Sequence, residues 1–200
     1  MSDWWRKGVA FPKENENFLR ILEFYLLKCP VKFIAVKKDG TKKLKLVSKR
    51  AVTFEDRNWI GGNITTLYTE LTRNITVECV NNENSVEETR VHIEESSKLK
   101  DSNFDMIIFK KDCRINKTKS IFYSIRNSFA HGTFSVLENN GNTVYYFENE
   151  SSETIKAQIR LKENTLLKWI DLFYSSANEI REKNKSKKNK LKKNSKQTNK

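Results

Sequence analysis

The sequence predicts a mainly α-helical, α+β protein: four helices with one or two β-hairpin insertions and a disordered basic C-terminal tail. Three observations lead there. Apolar residues recur at helical spacing in four stretches, around 18–29, 64–75, 121–131 and 166–180, which hold many of the large hydrophobics. Two turn signals, Asp39-Gly40 and Asn139-Asn140-Gly141-Asn142, each separate short apolar or alternating runs. Residues 183–200 contain nine lysines and no acid, and show no apolar periodicity.

Each element has a local reason. Asn15 or Asn17 can cap a first helix in which Phe18, Leu19, Ile21, Leu22, Tyr25, Leu26 and Cys29 recur, and Pro30 forbids continuation. Val31–Val36 is apolar and β-branched. With the Lys42-Lys43-Leu44-Lys45-Leu46 alternation beyond Asp39-Gly40, it predicts a hairpin with a lysine-rich exposed face. Gly61-Gly62 breaks the chain before a second helix carrying Ile64, Leu67, Tyr68, Leu71 and Ile75, with Asn63 as a candidate cap. Residues 81–103, acidic and nearly without aromatics, read as a long flexible loop.

After the apolar run Phe104–Phe109, a third helix places Ile121, Phe122, Ile125 and Phe129 on one face. Ser120, Ser124, Asn127 and His131, spaced 4, 3 and 4 apart, fall on another, and Gly132 fits a left-handed helix end. Thr133–Leu137 and Thr143–Phe147 form a second predicted hairpin across the Asn-Gly turn. Ala157–Leu161 adds a strand, and Asn164 or Thr165 can cap a last helix running through Trp169 and Phe173 to Ile180. The domain expected is 1–182, followed by the tail at 183–200.

Composition narrows the function. The net charge is +13, but the nine tail lysines leave only +4 on the rest. That remainder is polarised: Lys32–Arg50 carries +7 and Glu78–Asp105 carries −5. Cys29, Cys79 and Cys113 are an odd number, far apart, with only His92 and His131 to complete a metal site, so no metal and no cofactor are expected. The absence of a long apolar run or a signal peptide predicts a cytoplasmic protein with no membrane partner.

The informative stretch is Ser124-Ile125-Arg126-Asn127-Ser128-Phe129-Ala130-His131-Gly132. It resembles the HEPN superfamily, named for nucleotide binding in higher eukaryotes and prokaryotes, whose members are helical bundles with an R-x4-6-H signature, often with a polar residue after the arginine. Here the signature is R-N-S-F-A-H, covering mainly residues 118–134. The resemblance implies a HEPN-like bundle, and an endoribonuclease in which the RNA 2′-hydroxyl attacks the neighbouring phosphate to leave a 2′,3′-cyclic phosphate. It also implies a toxin or phage-defence role, an antitoxin or regulatory partner, and a homodimer with a composite site.

The chemistry suits the residues. Imidazole takes and gives protons near neutral pH, and guanidinium forks onto phosphate oxygens at a centre of growing negative charge. His131 and Arg126 are thus the expected catalytic pair, and Asn127, one turn before His131, is placed to orient the imidazole. On an ideal helix Arg126 lies about 140° round from His131, so either the last turn unwinds or two protomers combine their helices. Lys117, Lys119 and Ser124 near the motif, and Lys42, Lys43 and Lys45 in the basic hairpin, are the expected RNA-binding residues. The lysine tail fits a phosphate-tracking aid or a solubilising terminus. A second function class, a noncatalytic module binding RNA, nucleotide or another protein, uses the same residues without cleavage.

Overall fold

The computed structural model describes residues 15–36, 42–45, 51–81, 85–96, 104–112, 115–151 and 154–197, of which 33–36, 42–45, 151 and 191–197 are described by backbone course alone. Helix α1 (Glu16–Leu22) starts at Asn15, whose side-chain oxygen accepts from the N–H groups of Asn17 at 2.9 Å and Phe18 at 3.4 Å. It runs into a π-helical turn at Glu23–Leu27, just short of Pro30. Strands β1 (Phe33–Val36) and β2 (Lys42–Lys45) pair antiparallel as the expected hairpin. Then follow α2 (Gly62–Leu71), β3 (Thr76–Val80), α3 (Ser85–Ser96), β4 (Met106–Lys110), α4 (Lys117–His131), β5 (Phe134–Asn139), β6 (Asn142–Ser151), β7 (Thr154–Lys162), α5 (Glu163–Tyr174) and α6 (Ala177–Gln197).

The expected helical bundle with hairpin insertions is not what forms. The protein is α/β, with a five-stranded mixed sheet of order β3-β4-β7-β6-β5 packed against helices. Only β3 and β4 run parallel, and α3 supplies the crossover such a pair requires. The second hairpin is therefore the β5-β6 half of a meander within the main sheet, turning at Asn140 and Gly141, both at positive φ.

The reason lies in β4. Met-Ile-Ile-Phe is buried along its whole length because the strand is covered on both faces. Ile107 and Phe109 enter the main core with Phe122 and Ile125 of α4 and Trp169 and Phe173 of α5, while Met106 and Ile108 pack with Val86 of α3. Phe122 is the hub of the main core: its ring lies 5.3 Å from that of Phe54, 5.6 Å from Tyr25 and 6.0 Å from Trp169. The buried indoles are satisfied by carbonyls, Trp169 Nε1 donating to Leu71 at 2.9 Å and Trp59 Nε1 to Phe173 at 2.8 Å.

Three further expectations change. Within the 81–103 segment, residues 85–96 form α3, tied to the sheet by the buried Val86 against Met106 and Ile108, by Arg90 donating to Gln158 at 3.1 Å and by Arg160 donating to Glu94 at 3.3 Å; Arg90 also donates to Glu94 within the helix at 2.5 Å, and Gln158 to the buried Glu148 at 2.8 Å. The predicted last helix breaks at Ser175-Ser176 into α5 and α6. Its start is held not by Asn164 or Thr165 acting as a cap but by the Asp105 carboxylate, which accepts from the Lys162 N–H at 2.8 Å and the Thr165 hydroxyl at 2.5 Å.

The tail expected to be disordered from 183 continues α6 to Gln197, so the 182/183 boundary falls inside a helix. Ala177 and Ile180 are buried and Asn184 donates to Glu70 at 2.8 Å, which nucleates a helix that lysines, good helix formers, can extend. No helix among the described residues is long and apolar enough to cross a membrane.

Candidate functional site

Helix α4 positions the motif. Asn116 caps it by accepting from the Lys119 N–H at 2.9 Å, and Gly132 ends it in the left-handed region at φ +71°, as the sequence implies. Between these ends the apolar face is clamped in the core, so the register of the opposite face is fixed. That face looks into a cleft of about 630 Å³.

The stripe read from the sequence, Ser120, Ser124, Asn127 and His131, lines this cleft, and Arg126 lines it as well. The structure thus brings the expected catalytic trio together within one protomer. Arg126 and His131 lie about 140° apart round the helix and still line one cleft, and Arg126 Nη1 donates to Asn127 Oδ1 at 3.0 Å. The amide continues the chain, Asn127 Nδ2 donating to Asn149 Oδ1 at 3.4 Å and Asn149 Nδ2 to Ser124 Oγ at 3.2 Å. Asn127 therefore orients Arg126, not the imidazole as expected. His131 is exposed at the end of the stripe and makes no hydrogen bond among the described residues.

The expected RNA-binding residues divide. Ser124 is in the cleft, buried, and accepts from Asn149. Lys117 is exposed but does not line the cleft. Lys119 is held elsewhere: its Nζ lies 2.5 Å from Glu55 and 5.8 Å from the centre of the Phe54 ring. Partial burial pushes the Glu55 carboxyl up, but the hydrogen bond and charge of Lys119 outweigh it and leave the group below its ordinary value. The side chains of Lys42, Lys43 and Lys45 lie outside the described residues.

Sequence reasoning missed the partners that the sheet supplies. Lys110 and Lys111 come from the end of β4, Asn149 and Glu150 from β6, and Lys156 from β7. With Arg126 they give the cleft four cations against the carboxylates of Asp112 and Glu150. Asn149 and Glu150 sit where the β6-β7 register shifts, an irregularity of the kind that re-aims side chains beside a site. No sequence signal marks that shift, and only Lys110 and Lys111 lie close enough to the motif in the chain to have been suspected.

No group of three or more His, Cys, Asp or Glu side chains among the described residues is placed to hold a metal ion. Comparison with known proteins found no matching family, no similar curated protein and no similar solved structure.

Proposed function

We propose that the cleft is the active site of a metal-independent endoribonuclease. The observation that carries the reading is the exposed, uncommitted His131 imidazole in the same cleft as Arg126, whose guanidinium is steadied by Asn127, among three lysines. In the reaction the RNA 2′-oxygen attacks the adjacent phosphorus. A 2′-O–P bond forms and the P–O5′ bond breaks, the 2′-hydroxyl loses its proton, and the departing 5′-oxygen gains one. His131 handles one of these protons, and Arg126 neutralises the phosphoryl oxygens as charge builds on them. The products are a 2′,3′-cyclic phosphate and a 5′-hydroxyl.

The R-N-S-F-A-H likeness to HEPN ribonucleases supports the reading at the level of the motif on α4, and it is the source of the proposed toxin or phage-defence role in the cytoplasm and of a regulatory partner. The likeness does not extend to a helical-bundle fold. A homodimer remains part of the proposal on that likeness and on proton accounting, since His131 is the one imidazole lining the cleft. A partner protomer facing it would bring a second.

The test is incubation of the purified protein with single-stranded RNA in excess EDTA, with DNA of the same sequence as control. The expected outcome is cleavage of RNA alone, with cyclic-phosphate ends. If RNA binds in the cleft and stays intact, the site is a binding module and the enzyme reading falls.

A further inference from the structure

The end of the cleft away from His131 has chemistry that proton transfer does not use. Ser120 is 6% exposed and lines the cleft, yet its Oγ has no hydrogen-bond partner among the described residues. A buried hydroxyl left unbonded costs stability, and one at a cleft wall can turn about χ1 toward a partner inside the cleft, either an ordered water or a ligand atom. Beside it on the lining, Tyr123, one turn on, offers an aromatic ring and Ile115 an apolar contact, while Lys110, Lys111 and Lys156 supply positive charge to the same cleft.

A flat ring with polar edges, joined to phosphates, satisfies all three demands at once. Aromatic faces stack bases, hydroxyls bond base edges, and lysines neutralise the backbone. The eleven steps from Ser120 to His131 span about 16 Å of helix axis, which places Ser120 more than one nucleotide away from the proposed reacting phosphate.

Resting on the reading of the cleft as an RNA site, we infer that Ser120 and Tyr123 form a nucleobase subsite that docks an unstacked base of the substrate strand, upstream or downstream of the bond that breaks. Ser120 is then a specificity-determining residue. The helix stripe is a track along which single-stranded RNA lies, from the base held at Ser120 to the phosphate at His131.

The test uses the full chain and RNA analogues that cannot be cleaved: the four homopolymeric 2′-O-methyl hexanucleotides, and an all-abasic 2′-O-methyl hexamer, followed by fluorescence anisotropy. The wild-type protein is expected to bind the best base-bearing oligomer about tenfold more tightly than the abasic one. Ser120→Ala and Tyr123→Leu should each shrink that margin several-fold while leaving abasic affinity unchanged. Because the Ser120 hydroxyl gives up no bond in the free protein, Ser120→Ala should keep or raise the Tm, so a loss of margin there is not a loss of folding.

Equal affinity of the wild type for abasic and base-bearing oligomers overturns the inference, as does an equal loss for both in Ser120→Ala. If the base-dependent margin is present and Ser120-dependent while no RNA is cleaved, the subsite stands and the nuclease reading alone falls.

Discussion

Helices α3 and α4 lie on opposite faces of the same sheet and are held there by different forces. Under α4 the contact is apolar and aromatic, with Ile121, Phe122, Ile125 and Phe129 all within the main core. Under α3 it is a small apolar contact through Val86, Met106 and Ile108, beside a buried polar network in which Arg90 and Arg160 share Glu94 and Arg90 also reaches Gln158. A helix anchored by an apolar seam can present its other side to solvent as a rigid platform. A helix anchored by charge spends its polar residues on the anchor. The cleft accordingly forms along α4.

The largest expected effect comes from breaking the apolar anchor. Phe122→Ala removes a fully buried ring at the centre of the aromatic cluster and should cost about 3–5 kcal/mol in chemical denaturation, taking activity with it. Breaking the other anchor should cost less: Arg90→Ala leaves Gln158 with a lost donor under α3, for about 2 kcal/mol, and leaves the cleft chemistry in place. Gly132→Ala tests only the helix end. Space around its Cα is open, so the cost is that of holding alanine at φ +71°, about 1 kcal/mol by thermal unfolding.

The smallest effect is at a surface ion pair outside the cleft. Glu55, held below its ordinary 4.5 by Lys119, contributes stability that is full above pH 4.5 and is lost as pH falls through the depressed value. Glu55 is about half exposed and screened by solvent, so Glu55→Gln should shift stability by only a few tenths of a kcal/mol near neutrality, and should flatten the acid limb of the stability profile.

The contrast between the two anchors also explains what the sequence discloses. Phe122, Ile125 and Phe129 recur at helical spacing, and so α4, its polar stripe and its Gly132 terminus are all readable. The Asn-Gly turn is equally readable, because positive φ at two successive positions is a strong demand on residue type. Arg90, Glu94 and Glu87 look like solvated surface in a linear reading, and α3 passes for a loop because its anchor is polar. Missing α3 hides the β3-α3-β4 crossover, and with it the parallel pair that makes this a sheet protein.

For the site, the residues on α4 are legible and those brought to it from β4, β6 and β7 are not. Lys156 and Asn149 become neighbours of the motif only through strand register. Asn127 shows a subtler limit: helical spacing places it one turn from His131, yet the sheet offers it Asn149, and its carbonyl oxygen turns to Arg126.

In the proposed function, the cleft face of α4 does the chemistry while its apolar face holds the fold. The most direct test compares RNA cleavage in EDTA by the wild type and His131→Ala, with both Tm values measured. Cyclic-phosphate products are expected from the wild type, with a loss on the order of a hundred- to ten-thousandfold in the variant at an unchanged Tm. Equal cleavage by both proteins, or a variant that loses activity only because its Tm drops by many degrees, would contradict the proposed function.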